Sequence, residues 1–148
     1  MSHTYTNLIT HNVFGTKKRI GLISDKIKPE LHAYLGGLVR ELKGKPIKIN
    51  GINDHVHILA SLPPTVSTAE AMRFIKTNSS KWVSRKFNRP FEWQPGYGAS
   101  SVSRSGMDRV VKYIENQVEH HRKFDFRTEF LTLLKKYEVE FDKEFLWK

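Results

Sequence analysis

The sequence predicts an α+β fold in which helices pack on an antiparallel sheet. Two observations indicate this fold class. Strand-type and helix-type hydrophobic patterns alternate along the chain, and a pair of turn-forming residues interrupts the longest strand-type segment, residues 47–61. Strands joined by so short a turn are antiparallel neighbours. With 148 residues the chain has the size of one ordinary domain, so we expect a single domain over residues 1–148.

The pattern of the first half predicts a strand, a helix and a hairpin. Residues 5–14 combine apolar and β-tolerant residues and form the strand. Pro29 begins a helix, and leucines follow it at helical spacing. Residues 47–61 form the hairpin, whose turn lies at Asn50-Gly51 or at Asn53-Asp54. We favour the later turn because it leaves a longer first strand.

The pattern of the second half predicts two helices that begin at capping boxes, with a strand between them. The two capping boxes are Ser67 to Glu70 and Ser105 to Asp108. Residues 91–103 form a strand with an irregular start, whose aromatic residues belong to the core or provide platforms for stacked bases. The helix after the second box has an apolar face formed by Met107, Val110 or Val111, Ile114 and Val118.

The chain ends in a last helix over residues 128–137, followed by Phe145 and Trp147, which we expect to dock as apolar anchors. The complete order is strand, helix, hairpin, helix, strand, helix, helix. An antiparallel sheet with helices packed on it in this order has a ferredoxin-like or RRM-like character.

Composition narrows the class of partner. The formal net charge is +10, which favours polyanions and nucleic acid first, although a solvated basic surface without a partner stays open. Basic side chains that could contact DNA follow the first strand and cover the helix after residue 67; they are Lys17, Lys18, Arg19, Arg73, Lys76, Arg85 and Lys86. The absence of cysteine excludes disulfides and thiolate zinc sites.

The sequence carries no apolar run long enough to span a bilayer and no signal-peptide pattern at its N-terminus. We therefore expect a cytoplasmic protein without a membrane partner, associated with the nucleoid when it is bound to DNA.

The segment that organises the chain is residues 53–60, in which His55 and His57 flank Val56. Side chains alternate along a strand, so the two imidazoles point to one face, about 7 Å apart, while the apolar residues point into a core. Two neutral nitrogens in this arrangement suit a metal ion. A histidine-rich edge strand without ligands is the alternative that this spacing leaves open.

A second chemical signal lies on the helix after residue 107. Tyr113 and Gln117 are four residues apart and therefore lie on one face, which is offset from the apolar face of that helix. The core needs neither residue at this position. The pair is thus a candidate for chemistry, and His120 and His121 follow one turn later.

Three motifs together resemble the single-tyrosine HUH transposases, which serve small hairpin-ended insertion sequences of bacteria and archaea. The motifs are Asp-His-Val-His-Ile-Leu, Trp-Gln-Pro-Gly-Tyr-Gly and Tyr-Ile-Glu-Asn-Gln-Val-Glu-His-His, and the likeness runs in order from about residue 5 to residue 147. The resemblance implies the HUH endonuclease fold. It also implies a metal bound by His55, His57 and Gln117, with Tyr113 as the nucleophile.

The implied activity is that of a single-strand DNA endonuclease and strand transferase. Such an enzyme cleaves and rejoins hairpin-marked DNA ends through a 5′-phosphotyrosine intermediate. Two imidazoles and an amide are neutral, so a bound Mg²⁺ or Mn²⁺ keeps its charge and can polarise the scissile phosphate. The resemblance further implies a homodimer in which the tyrosine helix of one subunit completes the metal site of the other.

Other classes of function compete with this prediction. A domesticated relative that processes repetitive chromosomal hairpins would have the same site. An RRM-like module that binds single strands or hairpins without catalysis would not need the pairing of Tyr113 with Gln117. A metal-dependent phosphohydrolase that uses water would tolerate the loss of Tyr113 and would form no covalent DNA adduct.

Overall fold

The computed structural model describes residues 3–144 and 146–147. It contains four strands and five α-helices in the order β1, α1, β2, β3, α2, β4, α3, α4, α5. The strands are β1 Leu8–Gly15, β2 Lys45–Ile52, β3 His55–Leu62 and β4 Gly98–Ser101. The helices are α1 Lys28–Glu41, α2 Thr68–Phe87, α3 Met107–Glu115, α4 Gln117–His120 and α5 Phe126–Lys136.

All four strands pair in one antiparallel sheet with the order β2-β3-β1-β4, which confirms the predicted α+β class. The turn of the hairpin lies at Asn53-Asp54, as predicted, because β2 continues through Ile52. Gly51 allows this pairing, since a Cβ at that position would lie 2.2 Å from the carbonyl oxygen of His55. The hairpin therefore places β3 in the middle of the sheet.

One face of the sheet carries the larger core. Phe14, Val56, Ile58 and Ala60 point to this face and pack against α1 and α2. The helical partners are the apolar residues that the helical spacing predicted, among them Leu31, Leu35, Leu38, Met72, Ile75 and Val83. Ser67 caps α2 by accepting a hydrogen bond from the amide of Glu70 at 3.1 Å, which confirms the first capping box.

The opposite face carries α3, α4 and α5. Ile114 of α3 packs on Ile9 and Leu59, and Phe126 and Phe130 of α5 pack on Val13. Val13 is paired with His57 and Gly15 with His55 in the β1–β3 register, so both histidines point to this second face. The helices that follow β4 thus form the cover of the histidine pair.

Three details of the second half differ from the prediction. The strand predicted for residues 91–103 is only Gly98–Ser101, and the preceding Phe91 and Trp93 are buried core residues. Ser105 caps no helix; Ser103 instead accepts from the amide of Gly106 in a short 3-10 turn before α3. Val118 is 51% exposed, and the predicted helix is interrupted at Asn116, whose backbone is not helical, so that Val118 lies on the separate helix α4.

Trp147 packs on Phe130 with ring centroids 5.7 Å apart, which confirms the predicted anchor, whereas Phe145 lies outside the described residues. Within residues 3–144 and 146–147, no helix combines the length and the apolar character that crossing a bilayer requires.

Candidate active site and metal centre

His55 and His57 lie on a central strand and are fully buried under α4 and α5. The edge position in the alternative is therefore wrong, whereas the ligand role of the two histidines stays a prediction. Phe126 stacks on His55 with ring centroids 4.2 Å apart and an interplanar angle of 12°. Gly15 makes room for this ring, because a Cβ there would lie 2.6 Å from Phe126 Cε2.

Each imidazole is oriented through its Nδ1. His55 Nδ1 lies 2.8 Å from Asp54 Oδ1, and His57 Nδ1 lies 2.8 Å from His11 Nε2. A histidine whose second nitrogen is held in this way presents a fixed ring to its ligand. Both Nε2 atoms consequently point away from the sheet and toward α4 and α5.

The two helices bring an amide, a third imidazole and a carboxylate to these nitrogens. His55 Nε2 lies 2.9 Å from Gln117 Oε1 and 3.1 Å from Glu129 Oε1. His57 Nε2 lies 3.0 Å from the same Glu129 oxygen. His121 Nε2 lies 3.1 Å from Gln117 Oε1 and 3.0 Å from Glu129 Oε1. Glu129 is 2% exposed, so its carboxylate is almost completely removed from bulk water.

The Tyr113 hydroxyl belongs to the same cluster. It donates a hydrogen bond to Glu129 Oε2, the carboxylate oxygen that also accepts from Gln117 Nε2 at 3.0 Å. The ring of Tyr113 lies edge-on to His57, with centroids 5.7 Å apart. The structure thus brings together the four residues that the family resemblance implies, His55, His57, Tyr113 and Gln117, within a single chain.

The charges of the cluster explain why a buried carboxylate is stable there. Burial opposes ionisation of Glu129, but hydrogen bonds from His121, His55 and His57 outweigh it and hold its pKa well below the usual range. For Tyr113, burial and then the charge of Glu129 both raise the pKa of the phenol. The tyrosine therefore stays protonated in this state, and it needs a neighbouring positive charge before it can act as a nucleophile.

The histidines divide into two electrostatic types. Burial works against protonation of His55, yet its hydrogen bonds to Asp54 and Glu129 raise its pKa to about 9. Burial and then the neighbouring His57 lower the pKa of His11 to about 3, and burial likewise lowers the pKa of His57. His11 and His57 are therefore both neutral, and His57 contacts His11 through Nδ1 and Glu129 through Nε2.

The donor set fits a divalent cation. The ligand atoms of His55, His121 and Glu129 all lie within 4.8 Å of one another, and Gln117 Oε1 is bonded to the first two. Imidazole nitrogen with carboxylate and amide oxygen is a combination that Mn²⁺ and related ions accept. The cluster can therefore hold a metal ion beside the tyrosine hydroxyl.

Sequence reasoning missed Glu129, His11 and the role of His121. Glu129 had a detectable signal: it lies on the apolar stripe of α5, between Phe126 and Phe130, where a carboxylate is rare without a partner. His11 had no detectable signal in the sequence, because its contact with His57 depends on the pairing of β1 with β3.

The predicted DNA-contacting residues lie in two different parts of the fold. Lys17, Lys18 and Arg19 form a 3-10 turn after β1, where Arg19 stacks on Trp147 at 4.9 Å. The other four lie on α2, which packs on the opposite face of the sheet from the histidines; they are Arg73, Lys76, Arg85 and Lys86. Their contact with DNA stays a prediction.

A family model described as "Transposase IS200 like" matches residues 4–117, more than half of the chain. The chain belongs to the IS200-like transposase family. Among curated proteins it is similar to the transposases for insertion sequence element IS200 of Salmonella typhimurium strain LT2 and of Salmonella typhi. Each is 28% identical over 134 residues, which cover 82% of this chain and 84% of the relative.

Solved structures agree on the fold of this IS200-like transposase. A candidate transposase from Deinococcus radiodurans R1 has a TM-score of 0.64 and 22% identity, and the match covers 79% of this chain and 96% of that one. A REP-associated tyrosine transposase bound to a REP hairpin has a TM-score of 0.61 and 15% identity, with 82% and 73% covered. Both similarities concern the fold, which is an antiparallel sheet with helices packed on it.

Proposed function

We propose that this transposase cleaves and rejoins single-stranded DNA at hairpin-marked ends and that Tyr113 forms a 5′-phosphotyrosine intermediate. The observation that carries the proposal is the contact of the Tyr113 hydroxyl with Glu129, a residue that also contacts His55, His57 and Gln117. The hairpin is supported by the fold relative that is described in complex with one.

In the proposed reaction the Tyr113 oxygen attacks a backbone phosphorus, and the bond from that phosphorus to the 3′ oxygen breaks. The departing strand takes a proton and ends in a 3′-OH, while the other strand stays joined to the tyrosine through its 5′ phosphate. The new ester conserves the energy of the broken bond, so attack by another 3′-OH rejoins DNA without ATP.

The chain's own residues prepare this attack. Glu129 Oε2 accepts the hydrogen bond of the tyrosine and fixes the direction of its hydroxyl. Gln117 Nε2 fixes the same carboxylate oxygen from the next helix. The family resemblance assigns metal binding to His55, His57 and Gln117. When Mg²⁺ or Mn²⁺ is bound, it supplies positive charge that polarises the scissile phosphate.

We further propose that the active unit is a homodimer in which α3 and α4 of one subunit serve the histidines of the other. Residues 101–106 before α3 are small and polar, apart from Val102 and Arg104, so they can carry the helix in more than one direction. An exchange of α3 and α4 between the two subunits would let the dimer cut two DNA ends together. It would use the same contacts that α3 and α4 make within one chain.

The test of the nucleophile uses 5′- and 3′-labelled single-stranded ends, Mn²⁺ and a denaturing gel. Tyr113→Phe should abolish the covalent protein–DNA band, because it removes only the attacking oxygen. Tyr137→Phe is the matched control, since its ring, like that of Tyr113, lies edge-on to His11, but its hydroxyl is near His11 and not bonded to Glu129. An adduct that persists in Tyr113→Phe would show that another group attacks.

A further inference from the structure

Four side-chain atoms of the buried cluster, two nitrogens and two oxygens, form a closed ring of contacts. His55 Nε2 lies 2.9 Å from Gln117 Oε1, which lies 3.1 Å from His121 Nε2. His121 Nε2 lies 3.0 Å from Glu129 Oε1, which lies 3.1 Å from His55 Nε2. Nitrogen and oxygen alternate around the ring, and its four sides are nearly equal. The ring combines donors from β3, α4 and α5.

Hydrogen bonding alone leaves this ring poorly satisfied. An imidazole Nε2 carries at most one hydrogen, yet each of the two Nε2 atoms has two oxygen acceptors at nearly equal distances of 2.9–3.1 Å. One cation among the four atoms would satisfy both nitrogens and both oxygens.

The side lengths also match the spacing of metal ligands. Donors about 2.1 Å from an octahedral ion are about 3.0 Å from their neighbours. The observed sides of 2.9–3.1 Å agree with that spacing. His57 Nε2 lies 3.0 Å from Glu129 Oε1, so it contacts the ring through the carboxylate.

We propose that His121 and Glu129 are metal ligands that complete a four-donor ring with His55 and Gln117. This inference rests on the proposed function and changes its metal site, because a carboxylate ligand adds a negative charge to a set that was otherwise neutral. Glu129 also connects the metal to the nucleophile. Its Oε1 belongs to the ring, and its Oε2 accepts the hydrogen bond of Tyr113.

The first test measures metal affinity without DNA. Metal-free protein is titrated with Mn²⁺ by calorimetry in the wild type, Glu129→Gln, His121→Ala and His120→Ala. Glu129→Gln keeps the shape of the side chain and removes its charge. We expect at least tenfold weaker binding for Glu129→Gln and His121→Ala. His120→Ala is the control, since His120 Nε2 lies 3.5 Å from Glu129 Oε2, the carboxylate oxygen outside the ring, and contributes no atom to the ring. This variant should stay within threefold of the wild type.

The second test uses the wild-type protein and therefore does not depend on how the variants fold. Crystals soaked in MnCl₂ should give an anomalous peak within bonding distance of His121 Nε2 and Glu129 Oε1. A peak held by His55, His57 and Gln117 alone, or wild-type affinity in His121→Ala, would overturn the proposal. Neither outcome bears on the proposed attack by Tyr113, which the denaturing gel of the Tyr113→Phe variant tests separately.

Discussion

At the scale of single residues, His32 is a half-buried histidine outside the active site. It lies on α1, which packs on the opposite face of the sheet, and its Nε2 has no hydrogen-bond partner among the described residues. Burial, and then the charge of Lys28, lower the pKa of His32 from 6.5 to about 4. Below pH 6.5 the unfolded chain therefore binds a proton that the folded chain rejects.

This difference predicts that the folded state loses stability as the pH falls from 6.5 toward 4. His32 should account for about 1–2 kcal/mol of the loss between pH 6.5 and pH 5. Urea unfolding at several pH values measures it. His32→Gln should flatten the slope, whereas His3→Gln, at an exposed position, should leave it unchanged. Equal slopes in His32→Gln and the wild type would contradict the prediction.

The residues of the active site were predictable to different degrees. His55 and His57 could be placed from sequence because they lie on one strand, whose period fixes their relative direction. Tyr113 and Gln117 lie on two successive helices, α3 and α4, and not on the single helix that their spacing predicted. Glu129 lies on a different element from all four. Its position depends on how α5 docks on Val13, a contact that no local period encodes.

At the scale of elements, Asn50 holds the C-terminal end of the tyrosine helix. Its Nδ2 donates to the carbonyl oxygens of Ile114 at 2.9 Å and Glu115 at 3.2 Å. Both carbonyls lie in the last turn of α3, where helix carbonyls are available to accept from groups outside the helix. Asn50 is paired with His57 across the β2–β3 register. The contact therefore fixes α3, and with it Tyr113, directly above the histidine pair.

We predict that Asn50→Ala loosens this attachment. Loss of the two hydrogen bonds should lower the free energy of unfolding by about 1 kcal/mol. Amide hydrogen exchange in α3 should accelerate, and adduct formation should slow several-fold while DNA affinity stays unchanged. Asn50→Asp should be worse, because a carboxylate repels the negative end of a helix. An unchanged exchange rate in both variants would show that apolar packing alone holds α3.

The elements themselves were largely predictable, and the errors have physical causes. The capping box at Ser105 was wrong because Ser103 competes for the same turn and captures the amide of Gly106. The last strand is short because it pairs only with residues 10–13 of β1 and lies at the sheet edge. The break at Asn116 follows from packing, since it lets Gln117 turn into the site while α3 stays on Ile9 and Leu59.

At the scale of the whole molecule, the sheet separates the proposed catalytic cluster from the basic helix α2. The tyrosine and the metal donors occupy one face, and α2, with its exposed Arg73, Arg85 and Lys86, occupies the other. A net charge of +10 makes binding to any DNA strongly dependent on salt. Composition does not reveal where the charge lies relative to the active site, because this depends on tertiary contacts. It does not reveal the oligomeric state either, because this depends on quaternary contacts.

The last prediction concerns the proposed dimer. Tyr113→Phe protein lacks the nucleophile, and His55→Ala/His57→Ala protein lacks the histidine pair, so each should be inactive alone. After subunit exchange, a mixed dimer with helices in trans contains one composite site that pairs intact histidines with an intact tyrosine. Mixing should therefore restore adduct formation, up to about a quarter of the wild-type level per site when exchange is complete and random.

Within a single chain α3 docks on its own sheet, so a cis arrangement predicts the opposite result. In a cis site each subunit of the mixed dimer retains its own defect, and mixing restores nothing. Differently sized affinity tags on the two variants verify that exchange has occurred. Verified exchange without an adduct would refute the trans arrangement. An adduct on the histidine-deficient subunit alone would support it, because only that subunit carries Tyr113 and only its partner carries the histidines.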